Sequence, residues 1–166
     1  MTLSFKTYWD KYRPTYFVEK IWAGLLLNNI SDEFTLKQFE RKRVDLFKRG
    51  ITTKHQYPKI HTIREDKHNR WRKGMKINFV INNRTKNRFE FAPFMPCTSI
   101  QYIQIEWTSI NLSKLGMIIK VDEKILSYSE ALMLARNDGF DSIQDFVKWF
   151  NKPFIGKIIH WTNFKY

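Results

Sequence analysis

The chain has 166 residues, 43% of them hydrophobic and 16% aromatic, with 29 Lys and Arg against 16 Asp and Glu, a formal charge of +13 at pH 7. That is one domain of ordinary size with ample core material; the single cysteine, Cys97, excludes an intrachain disulfide and fits a reducing compartment. The apolar runs are too short to cross a bilayer, the opening MTLSFKTYWD lacks a secretory apolar region, and the four scattered histidines give no metal-ligand spacing, so a cytoplasmic protein without membrane segment, metal or cofactor is expected.

Residues 15–28 (TYFVEKIWAGLLLN) predict a helix, with Phe17, Ile21 and Leu25 in one row and Trp22 and Leu26 beside it. A second helix is expected over 36–49, entered through a capping box at Thr35-x-x-Gln38, with Leu36, Phe39 and Leu46 on its apolar side and Gly50 as its stop. Here the charge becomes uneven. Residues 37–88 hold 17 Lys and Arg against four acids, while the rest of the chain holds 12 of each sign. A concentrated block of this kind is a field aimed at something anionic, and nucleic acid is the partner it fits best. Lys37, Arg41 and Lys48 fall on one outward stripe of the second helix, and Arg70, Arg72 and Lys73 flank Trp71 further on, so these residues form the expected nucleic-acid face.

Pro58 breaks the chain before the extended IHTIR. The strands KINFVI, SIQYIQIEW and MIIKV follow, with NNRTKNR as a turn and APFMPC as a proline-interrupted connection. Helices return at 128–137, capped by Ser127-x-x-Glu130 and ended by Gly139, and at 142–151, opened by Ser142-x-x-Asp145 with Phe146, Trp149 and Phe150 inward; FIGKIIHWTNF closes the chain as a strand. Helices first, then a sheet with helices between its strands, make the class α+β, with a small closed or half-closed barrel.

The ordered set KIHTIRED, WRKGMKINF, SIQYIQI, ARNDGFDSIQDFVKWF and GKIIHWTNFKY resembles the ASCH domain, a relative of the PUA barrel, over about residues 58–166. The resemblance implies a PUA-like barrel of about five or six strands with flanking helices, residues 1–57 forming a helical extension packed on it, and a pocket for RNA, a nucleotide or a modified nucleoside. Some ASCH proteins are amidohydrolases that deacetylate 4-acetylcytidine with a Lys, a Thr and a Glu. The lysine and threonine fall on Lys59 and Thr62, and the glutamate position falls on Asp138, one methylene shorter.

Three readings follow. In a binding protein Lys59 and Arg64 hold a phosphate or base edge, Thr62 donates one hydrogen bond, Arg72 adds charge, and Trp71 or Trp161 stacks a base. In an amidohydrolase, or a ribonuclease using the same pocket, Lys59, Thr62 and Asp138 are catalytic; Lys59 as a base must fall from a pKa of ~10.4 to ~7, which takes about 4–5 kcal/mol. In a reader of modified DNA bases an aromatic cage takes over. Period two puts Thr62 and Arg64 on one face of the strand, so Lys59 joins them only if it precedes the strand. His61, His160 and Cys97 read as structural.

Overall fold

The alternating SIQYIQIEW becomes the longest strand of the protein and the middle of its larger sheet. The structure is a computed structural model describing residues 1–47, 50–51, 57–108 and 116–166. Its elements are β1 (Thr2–Phe5), α1 (Phe17–Leu27), α2 (Glu33–Phe47), β2 (His61–Arg64), β3 (Lys76–Ile81), β4 (Phe89–Glu90), β5 (Met95–Pro96), β6 (Ser99–Trp107), β7 (Met117–Val121), β8 (Lys124–Ile125), α3 (Tyr128–Asn137), α4 (Ile143–Trp149) and β9 (Phe154–His160). The class is α+β, as the order of patterns predicts. The strands form two sheets, and no barrel closes among the described residues: one sheet runs β1-β3-β4 with β5 also on β3, the other β2-β9-β6-β7-β8.

The larger sheet has two apolar faces because its strands alternate between two cores. Ile63, Ile103, Ile105 and Ile158 face α3 and α4, packing with Leu134, Phe140 and Phe146. Ile159 turns to the other side, where Trp161, Phe5, Phe79, Phe91 and the buried face of α1 make a second core shared with the smaller sheet. Burying a large apolar side chain is worth roughly 1.5–3 kcal/mol, so Phe17, Ile21, Trp22 and Leu25 fix α1 on this core.

Local signals explain most element ends. Ser127 and Glu130 make the predicted reciprocal capping box of α3, and the Ser142 hydroxyl accepts from the Asp145 N–H at the start of α4. The cap expected at Thr35 is displaced: Asp32 accepts the Thr35 N–H at 2.7 Å, so α2 begins at Glu33 and Thr35 lies inside its first turn. Leu46 is exposed on α2 rather than apolar-side. Trp149 is likewise half out of the core, its ring covered by Trp9 at 5.3 Å and by the Lys6 ammonium. The first 57 residues are not only helical, because β1 runs parallel to β3 with Leu3 opposite Phe79 and Phe5 opposite Ile81. Among the described residues no helix is long and apolar enough to cross a membrane.

Candidate functional site

Lys59 precedes β2, so the alternation of that strand does not govern it. Two backbone hydrogen bonds seat it: the Lys59 N–H donates to the Lys20 carbonyl of α1 and the Ile60 N–H to the Asn137 carbonyl of α3, both at 2.9 Å. The clamp depends on close approach. A Cβ on Gly24 would stand 2.6 Å from the Lys59 carbonyl oxygen, and one on Gly139 would stand 3.1 Å from Lys59 Cδ with φ already at +88°. Only glycine accepts both demands without strain.

From this seat the Lys59 side chain, 1% exposed, reaches the end of α3 and donates to both the carbonyl and the carboxylate Oδ1 of Asp138. The end of a helix carries partial negative charge from its unpaired carbonyls, which favours an ammonium there and makes a carboxylate dependent on one. Asp138 Oδ1 also accepts the Ile63 N–H at 3.3 Å, fastening α3 to the open edge of β2. The Phe17 ring lies 4.8 Å and the Phe5 ring 5.9 Å from the ammonium.

Arg64, half-buried, approaches the same Phe5 ring at 5.2 Å and donates to the Ser4 carbonyl at 2.8 Å. Thr62 shares its face of the strand and pairs with Ile159; it is buried, and among the described residues no hydrogen bond joins it to Lys59. Lys59, Arg64 and Asp138 therefore meet around Phe5 and the end of α3, with Thr62 on the adjoining strand face.

Burial dominates the electrostatics. It pushes the Lys59 ammonium down from 10.5 to about 8 despite Asp138, with Arg64 and Lys20 pushing the same way. Burial also raises Asp138, against the pull of Lys59 and Arg64. Burial therefore shifts both partners toward their neutral forms, and their mutual attraction opposes it.

On the far side of Asp138, His61 Nδ1 stands 3.8 Å from Oδ1. His61 Nε2 lies 2.6 Å from the Tyr166 hydroxyl, which also receives the Asn137 amide at 3.0 Å. Neither His61 nor Tyr166 was a candidate from the sequence, and neither were Phe5, Phe17 and Lys20. The only early sign was that His61 sits one residue from Thr62, which by period two sends it to the opposite face.

The other candidates are distributed differently. Lys37, Arg41, Arg70, Arg72 and Lys73 are exposed, and Lys48 lies outside the described residues. Trp71 is no surface platform: it is 6% exposed in the core around Phe5, its N–H donating to Asp66 and its carbonyl accepting from Lys157. Trp161 is core as well, at 1%. Some of the basic block is engaged internally, since Arg43 is buried against Glu19 at 2.9 Å. A cavity of about 410 Å³ opens beyond the end of β2, lined by Glu65, Asp66, Lys67, Asn69, Tyr102 and Lys157 among others. Among the described residues no group of His, Cys, Asp and Glu could hold a metal ion.

Compared with family models, with curated proteins and with solved structures, the chain matches none of them.

Proposed function

We propose that the chain binds RNA or a nucleotide-like ligand in the manner of a PUA-like, ASCH-type protein, with Lys59, Thr62, Arg64 and Asp138 as the ligand-binding group. The observation that carries this reading is the meeting of two cations and one carboxylate around a single aromatic ring, Lys59 buried and Arg64 half-exposed. A guanidinium has five N–H donors, and the Ser4 carbonyl engages Arg64 through Nη2. The remaining donors suit a phosphate or the acceptor edge of a base. The exposed Lys37, Arg41, Arg70, Arg72 and Lys73 supply positive potential for the backbone of a longer nucleic acid. The resemblance to the ASCH motifs supports the same reading.

The test is fluorescence anisotropy with a labelled single-stranded RNA. Neutralising about Z phosphate contacts gives a log–log salt slope of roughly −0.7Z for single strands. The expected result is a steep negative slope that flattens when Arg70, Arg72 and Lys73 are changed to Gln. Absence of binding, or a slope near zero, refutes the nucleic-acid reading.

The contact between Lys59 and Asp138 favours a second reading, hydrolysis of an N-acylated nucleoside such as 4-acetylcytidine. With Lys59 down to about 8, part of it is a free amine near neutral pH. In this scheme the Thr62 hydroxyl oxygen adds to the acyl carbon and its proton passes to Lys59. The carbon–nitrogen bond then breaks, the leaving amine taking that proton, and water releases the acetyl group from Thr62 as acetate. Chromatographic assay of 4-acetylcytidine tests it: a Thr62→Val variant as active as the parent, or an inactive parent, rejects the scheme. The base-stacking platforms expected for a binding protein, Trp71 and Trp161, are core residues, so the binding reading rests on Lys59, Thr62, Arg64 and Asp138 without them.

A further inference from the structure

The opposite face of β2 carries a buried polar chain that neither reading above uses. His61 and His160 are fully buried, their rings 5.3 Å apart, and Tyr166 closes over His61. We propose that Tyr166 locks His61 as its Nδ1–H tautomer, so that His61 stands as a reserve hydrogen-bond donor that takes over the Asp138 carboxylate when Lys59 turns to a ligand. The inference rests on the reading of Lys59 as a ligand-engaging cation.

The tautomer follows from donor and acceptor counting. The Asn137 amide nitrogen, 3.0 Å from the Tyr166 hydroxyl oxygen, can only donate to it. Among the described residues the phenolic proton then has one acceptor within reach, His61 Nε2 at 2.6 Å, and satisfying that proton makes Nε2 the acceptor. A neutral imidazole carries one proton, and with Nε2 accepting it resides on Nδ1. The ring is neutral because burial, reinforced by the nearby His160 and Lys59, opposes its charge. Tyr166 is held independently of the site: its N–H donates to Gln101 Oε1 at 3.0 Å, and Gln101 donates back to its carbonyl and to Asp122.

The Nδ1–H so fixed has no hydrogen-bond partner among the described residues, although the ring is fully buried. It stands 3.8 Å from the oxygen that holds Lys59, just beyond hydrogen-bonding range. An unpaired buried donor is unfavourable and calls for an explanation, which its closeness to that oxygen supplies. If a ligand draws the ammonium away, the buried Asp138 carboxylate loses its charged donor Lys59 and, as counter-charge, keeps only the longer-range pull of Arg64, whose Nη2 is engaged by the Ser4 carbonyl. The His61 N–H is the donor placed to receive that carboxylate. The charged or titratable groups around this pair are Lys59 and Arg64 on one side and His160 and Tyr166 on the other. Tyr166 acts through His61 and is a positioning residue.

The test uses long-range proton–nitrogen NMR on the full chain labelled with ¹⁵N-histidine, with no ligand added. In the parent, His61 should show a protonated Nδ1 and an unprotonated Nε2 at pH 7, and Tyr166→Phe should redistribute the proton toward Nε2. Lys59→Met, or Lys59→Gln should that variant fail to fold, imitates withdrawal of the ammonium. In it, exchange of the Nδ1 proton with water should slow by about tenfold, as one added hydrogen bond implies. An Nε2–H ring in the parent, or an exchange rate unchanged in the Lys59 variants, overturns the proposal. RNA that fails to bind leaves these signals readable and counts against the functional reading alone.

Discussion

The buried ammonium of Lys59 makes a definite demand on the pH dependence of stability. In the unfolded chain a lysine titrates near ~10.4, and in the folded protein Lys59 titrates at about 8. Between those values the unfolded state binds more protons, so stability rises with pH across the window, and the full penalty is felt below about pH 8. One pH unit of difference is worth about 1.4 kcal/mol, so the gain from pH 8 to 10.4 is about 3 kcal/mol. A Lys59→Met variant lacks that gain. The assay is urea unfolding of parent and variant at intervals from pH 7 to 10.5 at fixed ionic strength. The parent should gain on the variant by about 3 kcal/mol over that range. A gap that stays constant with pH would mean that Lys59 titrates alike in both states, and the buried pair on which the site is built would not exist.

Further outcomes follow from neighbouring features. Gly24→Ala sets a Cβ 2.6 Å from the Lys59 carbonyl oxygen, so α1 must shift; a loss of about 1–3 kcal/mol is expected in chemical denaturation, together with weaker ligand binding. His160, fully buried, is held down from 6.5 to about 4, and the unfolded state binds the extra proton between these values; stability is whole above about pH 6.5 and falls on acidification toward pH 4. Since neither ring nitrogen of His160 has a hydrogen-bond partner among the described residues, His160→Leu should keep neutral-pH stability within about 1 kcal/mol and flatten that acid limb, as unfolding curves from pH 7 to 4 would record. Arg43→Met removes one half of the buried Arg43–Glu19 ion pair and should destabilise by up to about 3 kcal/mol, whereas exchange of Lys37 or Arg41 on the same helix should leave the melting temperature within a degree or two.

What the sequence displayed was local order. Period two announced β6, apolar runs beside Gly74, Gly116 and Asp122 announced β3 and β7, and serine–acid spacing announced the starts of α3 and α4, because those elements are decided within a few residues. Pairing at a distance left no such trace. The four residues of β1 were missed because their alternation is too short to register, and what makes them a strand is a parallel partner some 76 residues on. The closeness of Lys59 to Asp138 was suggested only by a resemblance, since no periodicity relates a pre-strand lysine to a helix end 79 residues later. Trp71 was misplaced for a related reason: its basic neighbours are indeed exposed, but hydrogen bonds to Asp66 and Lys157 turn its ring inward.

Among the described strands, β2 has one sheet neighbour, β9. His61 lies opposite His160, so the segment bearing Thr62 and Arg64 enters the sheet only once the chain has been synthesised almost a hundred residues past it. During translation that segment waits beside a ribosome with its hydrogen-bonding edge open, while β3, β4 and β5, all made earlier than β9, assemble among themselves. The candidate site is thus incomplete until β9 is made, and a nascent chain stalled before residue 154 carries Lys59, Thr62 and Arg64 without the strand that pairs with β2.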